Sequence, residues 1–159
     1  MRKGIFSLIL LAQLVFITGA LPGEELVIEH PFKNPIKYTD KEKCDNCGMD
    51  RNKWARTRHE FRTSKGPFHT CSIFCVAVMS MKFKEAPVKV SVADYLHPER
   101  MIDADKAFYV IGSTAPGTMT IVSKIAFPSK EDAQRFVSRY GGTISGFKGA
   151  LAAARKEIH

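Results

Sequence analysis

Four cysteines in two short motifs are the feature that most constrains how this 159-residue chain can fold. Cys44 and Cys47 form a CxxC motif, and Cys71 and Cys75 form a CxxxC motif further along the chain. Gly48 follows the first motif and permits a tight turn, which lets both of its thiols face one point. A CxxC motif alone is ambiguous, because it occurs in metal sites, redox pairs and disulfides. With the second pair, the spacing is compatible with one metal site built from four thiolates.

The side chains next to the cysteines bear on which metal such a site would bind. Met49 places a thioether two positions after Cys47. Soft sulfur ligands favour Cu(I), with Zn(II) as a competitor, and a thioether binds Cu(I) better than Zn(II). Met49 therefore favours copper over zinc. His69 is a further candidate ligand, because in an extended strand it would share a face with Cys71.

The same cysteines allow a structural alternative. If Cys71 and Cys75 both lie in one helix, their Cβ atoms are roughly 5–6 Å apart, which exceeds the separation of about 3.5–4.5 Å that a disulfide needs. A disulfide would then join the first motif to the helix, for example Cys44 to Cys75. Because an exported protein meets an oxidising compartment, a disulfide- or zinc-stabilised binding module without metal transfer stays open as the alternative.

The N-terminal segment has the layout of a secretory signal. Arg2 and Lys3 precede an almost wholly apolar stretch over residues 5–17, and small residues end the segment at Ala20. This pattern predicts a signal peptide over residues 1–20, with cleavage after Ala20 and no stable membrane span in the mature protein. No cysteine precedes Cys44, so we expect no lipid anchor and a protein that resides in the periplasm.

Charge and motif content argue against several other functions. The formal net charge is +8, but the basic residues do not alternate with aromatic ones as in a nucleic-acid-binding module, and no nucleic-acid partner is expected. A thioredoxin-like CxxC motif would lie in a βαβ context, whereas this one follows a polar coil. The sequence contains no Ser-His-Asp arrangement, phosphate-binding glycine loop or haem attachment motif, so we do not expect an enzyme.

Hydrophobic periodicity predicts an α+β protein of two ββαβ-like lobes. After the signal comes an extended lead-in over residues 21–43, in which residues 26–28 could form a short strand. The first lobe, residues 44–96, contains the cysteine motif. The second lobe, residues 97–159, ends in a helix.

Each lobe is predicted to contain three strands and a helix, and the second lobe has a further helix at its C-terminal end. Thr70 is the expected N-cap of the first helix, and Ser129 is the expected N-cap of the second. The predicted strands are residues 54–61, 68–70, 88–92, 107–111, 119–127 and 143–147, and the predicted helices are residues 71–83, 130–140 and 148–158.

Several short motifs occur in an order that is typical of one known family. They are Cys44-x-x-Cys47-Gly48-Met49, residues 92–95, 102–104 and 107–113, Gly117-Thr118-Met119, Ala126-Phe127 and Gly141-Gly142. In this combination the chain resembles the NosL family of nitrous oxide reductase accessory proteins. The resemblance implies two ββαβ lobes similar to a domain of organomercurial lyase. It also implies an exported protein, often lipid-anchored, that binds Cu(I) and delivers it to nitrous oxide reductase.

The resemblance also implies which residues bind the metal. Cys47 and Met49 fall on the Cys-Gly-Met motif of the family, Cys44 on the first cysteine of the family's CxxC turn, and Met119 on its Gly-x-Met motif. From its surroundings alone, Met119 would be a core position of a strand. The chain departs from the family pattern at residues 69–75, where the family usually has an acidic, aromatic-rich segment.

Together these features predict an exported Cu(I) chaperone, with Zn(II) as the alternative ion. Copper would lie between the cysteine motif and the loop that carries Met119, and the possible added ligands are Cys71, Cys75 and His69. The expected partner is a copper-accepting periplasmic enzyme such as nitrous oxide reductase.

Overall fold

Two antiparallel sheets organise the chain in a computed structural model that describes residues 37–158. The first sheet contains strands β1 (His59–Thr63), β2 (Gly66–Thr70), β3 (Val88–Ala93) and β4 (Met101–Asp103), in the order β2-β1-β3-β4. The second contains strands β5 (Phe108–Ile111), β6 (Lys124–Phe127) and β7 (Thr143–Ser145), in the order β6-β5-β7. The predicted signal peptide and the possible strand at residues 26–28 lie outside the described range.

The helices connect and cover these sheets. Helix α1 (Ile73–Phe83) follows β2, helix α2 (Lys130–Tyr140) follows β6, and helix α3 (Phe147–Arg155) follows β7. A short 3₁₀ helix (Ala55–Thr57) precedes β1. Within residues 37–158, no helix combines the length and the apolar character that crossing a bilayer requires.

The order of the elements confirms the predicted α+β class with two ββαβ-like units, β1-β2-α1-β3 and β5-β6-α2-β7. The units are closely joined. Strand β4 follows residue 96 in the chain but pairs antiparallel with β3 of the first sheet, and α3 lies against α1. The predicted division into lobes at residues 96 and 97 stays a prediction.

The largest apolar cluster among the described residues draws on both sheets. Phe61 and Val92 from the first sheet, Val76 from α1, Tyr109 from β5 and Leu151 from α3 are all buried in one cluster. Burial of apolar surface is the main favourable contribution to folding, at about 25 cal/mol per Å². Because both units contribute to this core, elements from one unit are held at fixed positions relative to the other.

Helix α1 begins later than predicted, and this changes the position of one cysteine. The helix starts at Ile73 with Ser72 at its N-cap, whereas Thr70 is the last residue of β2 and is fully buried. Pairing of Thr70 with His59 of β1 holds this backbone extended. Cys71 therefore precedes the helix rather than lying in its first turn, and the predicted i, i+4 arrangement of Cys71 and Cys75 within one helix was wrong.

The second unit also differs in one strand. Strand β6 begins at Lys124, so the predicted strand from residue 119 was too long. Met119 lies in the loop over residues 112–123, with φ at +63°. The loop turns tightly at Gly117, where an added Cβ atom would lie 2.7 Å from the Thr120 carbonyl oxygen. The predicted N-cap of α2 is confirmed, since the Asp132 backbone N–H donates to Ser129 Oγ at 3.1 Å.

A buried polar contact links the two sheets. His59 Nδ1 lies 2.9 Å from the Thr57 carbonyl oxygen, and His59 Nε2 lies 3.0 Å from the Tyr109 hydroxyl. A carbonyl only accepts, so Nδ1 carries the proton and Nε2 accepts from Tyr109. Burial lowers the pKa of His59 from 6.5 to about 4, because the imidazolium would lose its hydration.

We expect the stability of the reduced protein to fall as the pH is lowered from about 6.5 towards 4. In this range an unfolded histidine binds a proton that folded His59 does not, so the free energy of unfolding decreases with decreasing pH. The full effect is about 3 kcal/mol and levels off below pH 4. Urea unfolding at several pH values should show a weaker dependence for His59→Gln. The control is His97→Gln, which replaces an exposed histidine and should keep the wild-type dependence. If the free energy of unfolding had the same dependence on pH in all three proteins, the lowered pKa of His59 would be contradicted.

Candidate metal centre

The four cysteine thiols meet at one point beside β2 and α1. All four Sγ atoms lie within 4.8 Å of one another. The Cys47–Cys71 distance is 3.6 Å, and the Cys71–Cys75 and Cys75–Cys47 distances are each 3.7 Å. All four are free thiols, and Cys44, Cys71 and Cys75 are buried whereas Cys47 is partly exposed. The sequence motifs that are separated in the chain therefore form one cluster of sulfur atoms.

A tight turn over residues 44–49, called the cysteine knuckle here, presents the first two thiols. The backbone N–H of Cys44 donates to the Met49 carbonyl at 2.9 Å, and the N–H of Gly48 donates to the Cys44 carbonyl at 2.9 Å. Gly48 has φ at +73°, in the left-handed region that favours glycine. The turn was predicted from the sequence, and its hydrogen bonds explain why Cys44 and Cys47 face the same point.

Hydrogen bonds attach the knuckle to the end of β2. The N–H of Asp45 donates to the His69 carbonyl at 2.8 Å, and the N–H of His69 donates to Asp45 Oδ2 at 2.6 Å. These reciprocal contacts place Cys44 and Cys47 beside Cys71, which follows β2. The Asp45 carboxylate also contacts the His69 ring, whose Nδ1 lies 3.5 Å from Asp45 Oδ2. Among the described residues, the four thiol sulfur atoms lie within 4.8 Å of one another, and His69 is not a member of this group.

Two side chains that sequence reasoning did not single out support the cluster. Asn46 donates from Nδ2 to Cys75 Sγ at 3.3 Å, which ties the knuckle to α1. A hydrogen bond of this kind stabilises a thiolate. Asn46 lies between the two cysteines of the CxxC motif, so its proximity to the thiols could have been inferred from the sequence.

The second of these side chains is Arg51, which is fully buried behind the knuckle. Its guanidinium donates to the Thr70 carbonyl at 3.2 Å, to the Lys41 carbonyl at 2.7 Å and to Glu60 Oε1 at 3.1 Å. It therefore joins the lead-in to strands β1 and β2. Nothing local in the sequence distinguishes Arg51 from a surface arginine.

Contacts among the thiols alter their acidity. Hydrogen bonds from Cys71 and Cys75 lower the pKa of Cys44, because they stabilise its thiolate. The hydrogen bond to Cys44 and burial raise the pKa of Cys71, and the hydrogen bond to Cys44 raises the pKa of Cys75 to about 12. The cluster thus favours one thiolate that accepts from its neighbours. A bound cation would take the place of the remaining protons.

The geometry of the cluster fits a single metal ion. A tetrahedral ion with metal–sulfur bonds of about 2.3 Å has sulfur–sulfur edges of ~3.8 Å. Three of the edges in this cluster measure 3.6–3.7 Å, so one ion fits with little rearrangement. Four thiolates suit soft or borderline ions, of which Cu(I) and Zn(II) are the biological candidates.

The two predicted thioether ligands lie at different places. Met49 packs against the thiol cluster, together with Trp54 and Phe74. Met119 is 42% exposed and lies in the loop over residues 112–123 of the second unit. Its neighbour Thr118 is hydrogen bonded to Thr57 at 2.7 Å, and Thr57 donates to the Cys71 carbonyl at 2.9 Å. The loop with Met119 is therefore attached to the segment that carries Cys71, and binding of the metal by Met119 stays a prediction.

The fold and the thiol cluster define an α+β protein with a candidate site for one thiophilic metal ion. A sequence model of the NosL family matches residues 35–152, and the chain belongs to the NosL family. The chain is also similar to the crystal structure of the copper chaperone NosL from Shewanella denitrificans, with 23% sequence identity and a TM-score of 0.57. That match covers 73% of this chain and 94% of the other, and it shows the shared fold. No curated protein matches.

We expect the reduced protein to bind one Co(II) ion, used as a spectroscopic substitute for Zn(II), with the absorption of a tetrahedral thiolate complex. Cys75→Ser should weaken binding by at least roughly 100-fold, because a ligand is lost from the site. Affinity should rise with pH through the neutral range, because the Cys71 and Cys75 thiols, whose pKa values are raised, must release protons. The control is His69→Gln, which should leave the spectrum unchanged. A spectrum that changes equally in both variants would contradict a site made of thiols alone.

Proposed function

We propose that this protein binds Cu(I) and passes it to a copper-accepting enzyme in the periplasm. The observation that carries the proposal is the convergence of Cys44, Cys47, Cys71 and Cys75, with the Met49 side chain packed against them. Sulfur is the preferred donor of Cu(I). Membership of the NosL family and the likeness to a protein described as a copper chaperone support the same assignment.

The exposure of the thiols suggests how an ion could be passed on. Cys71 and Cys75 are 0% exposed and Cys44 is 4% exposed, whereas Cys47 is partly exposed. A ligand from a partner would therefore first reach the ion at the side of Cys47 and Met49. Thiolates of the chaperone could then leave one at a time as the ligands of the partner replace them. In this scheme the metal is cargo, and the protein has no enzymatic activity.

The location and the recipient belong to the same proposal. The N-terminal pattern of Arg2, Lys3 and the apolar stretch that ends at Ala20 supports export to the periplasm. Nitrous oxide reductase is the proposed example of a recipient, because the resemblance of the sequence motifs implies it.

A second function is favoured by a specific observation. The three sulfur–sulfur distances of 3.6–3.7 Å among Cys47, Cys71 and Cys75 match edges of a tetrahedral site, and with Cys44 within 4.8 Å the set has the four thiolates of a usual structural zinc site. A permanently bound Zn(II) would join the knuckle, the end of β2 and helix α1. The protein would then be a zinc-stabilised binding module without metal transfer.

Competition with a chromophoric Cu(I) chelator tests the proposed function. The reduced protein should take one Cu(I) from the chelator, and Cys47→Ser should weaken binding by at least roughly 100-fold because a coordinating sulfur is lost. Met81→Leu is the matched control, since it removes the sulfur of a half-exposed methionine in α1 and should not change affinity. An unchanged Cu(I) affinity for Cys47→Ser would rule out copper binding at this cluster.

Metal analysis of protein purified from the exported fraction separates the two functions. A copper carrier should contain copper, or should exchange any zinc for Cu(I) within the time of the experiment. Stoichiometric zinc that Cu(I) does not displace would favour the structural alternative. A free-thiol count on the same sample would detect disulfides, which would prevent the four cysteines from binding either Cu(I) or Zn(II).

A further inference from the structure

Three segments of the first unit meet at the end of helix α1 that lies away from the thiol cluster. They are the turn between β1 and β2, the last turn of α1 and the start of β3. Glu85, two residues after α1, accepts hydrogen bonds from the N–H and the hydroxyl of Ser64 in the turn, at 2.9 and 2.6 Å. Arg62 of β1 pairs with Val88 of β3 across the sheet. These contacts bring segments that are separate in sequence to one end of the unit.

This end of the unit, called the basic end here, carries a concentrated positive charge. Residues 61–90 include one acidic residue, Glu85, and five exposed basic residues, which are Arg62, Lys65, Lys82, Lys84 and Lys89. Five cations and one carboxylate give a net charge of +4. Within residues 37–158, no ion pair involves any of the five basic side chains. Lys65 instead lies with its Nζ 5.7 Å from the centre of the Phe83 ring, so the turn is held against the end of α1.

Two exposed apolar side chains lie among these charges. Met81 in the last turn of α1 is 49% exposed, and Val88 at the start of β3 is 52% exposed. Met81 precedes Lys82 in the chain, and Val88 lies opposite Arg62 in the sheet. A surface that combines several cations with exposed apolar side chains suits the interface of an anionic bilayer, because phosphate groups lie next to hydrocarbon there.

The basic end is confined to one part of the first unit. Strand β4 and the turn after it contain Asp103, Asp105 and Lys106, a net charge of −1, and β4 lies on the side of β3 away from β1. The thiol cluster lies at the other end of α1, since Cys71 precedes the helix and Cys75 is in its first turn. An α-helix rises 1.5 Å per residue, so the 11 residues of α1 separate the two ends by ~16 Å.

We propose that the basic end docks the protein on the surface of an anionic phospholipid bilayer. The lysine and arginine side chains contact the lipid phosphate groups, and Met81 and Val88 enter the apolar boundary beneath them. A bilayer is favoured over an acidic protein surface because it offers hydrocarbon to these two side chains as well as negative charge. In this orientation the thiol cluster lies at the end of α1 that faces away from the bilayer. The docking does not depend on the proposed function.

Co-sedimentation of protein purified from the exported fraction with lipid vesicles tests this surface. The wild type should bind vesicles of phosphatidylglycerol and should bind phosphatidylcholine vesicles much less. Binding should be lost at about 1 M salt, where the Debye length is only about 3 Å. The double variant Lys82→Gln, Lys84→Gln should bind about 30-fold more weakly, a change that corresponds to about 1 kcal/mol for each of the two charges.

A matched control removes the same charge elsewhere. The double variant Lys130→Gln, Arg139→Gln changes exposed residues of α2, which packs on the second sheet, and it should bind as the wild type does. All variants keep the same N-terminus, so differences between them report on the substituted surface. Equal weakening in the two double variants would overturn the proposal, because net charge alone would then explain binding. No binding of phosphatidylglycerol vesicles by the wild type would overturn it as well.

The double variant Met81→Gln, Val88→Thr separates a bilayer from an acidic protein surface. It keeps every charge and the approximate shape of both side chains. It should weaken vesicle binding by about tenfold, because less apolar surface enters the bilayer. Full binding by this variant, together with the loss for Lys82→Gln, Lys84→Gln, would indicate attraction between charges alone, as to an acidic protein, and would overturn docking on a bilayer.

Tryptophan fluorescence measures the orientation of the protein on the bilayer. The chain has one tryptophan, Trp54, which packs against the thiol cluster. Vesicles with brominated acyl chains, which quench nearby tryptophans, should leave the wild-type emission unchanged and should quench the emission that Met81→Trp adds. Equal quenching in the wild type and in Met81→Trp would overturn the orientation and with it the proposal. Circular dichroism and thermal unfolding establish that each variant is folded.

Discussion

The attachment of the cysteine knuckle to the end of β2 is the contact on which the rest of the site depends. Two reciprocal hydrogen bonds between Asp45 and His69 fix where the turn sits. Because β2 leads directly into Cys71 and then into α1, this attachment sets the distances among thiols from both motifs. A displacement of the knuckle by a few ångströms would separate the sulfur atoms beyond the reach of one ion. His69, a candidate ligand in the sequence, contacts Asp45 through its backbone N–H and its ring.

The buried guanidinium of Arg51 stabilises the segments on which the knuckle and β2 depend. Arg51 has no exposed surface, and its guanidinium donates to backbone carbonyls of the lead-in and of β2. Burying a cation is costly unless its hydrogen bonds are satisfied, so these carbonyls and Glu60 are held where the guanidinium needs them. The buried guanidinium thus fixes the backbone of the segments next to the thiols.

Contacts between the two units hold the second unit next to the segment that carries Cys71. The shared apolar core, the His59–Tyr109 hydrogen bond and the Thr57–Thr118 hydroxyl pair all join the first unit to the second. The four thiols come from the first unit alone, whereas Met119 comes from the loop of the second. A chain with only the first unit could bind an ion through its thiols. The Thr57–Thr118 pair attaches the loop that carries Met119 to the segment that carries Cys71.

The sequence by itself determined the kinds of donor, the turn at Gly48, the cap at Ser129, the ββαβ order and the family. Those features follow from short motifs and from hydrophobic periodicity, which act over a few neighbouring residues. Only the tertiary structure decided that Cys71 lies before α1, that His69 contacts Asp45, that Arg51 is buried and that Met119 lies in a loop. Each of these depends on pairing between distant segments, such as His59 with Thr70 and Thr57 with Thr118. Local sequence patterns do not encode which distant partner a backbone or side chain will find, because that choice is made by the packing of the whole chain.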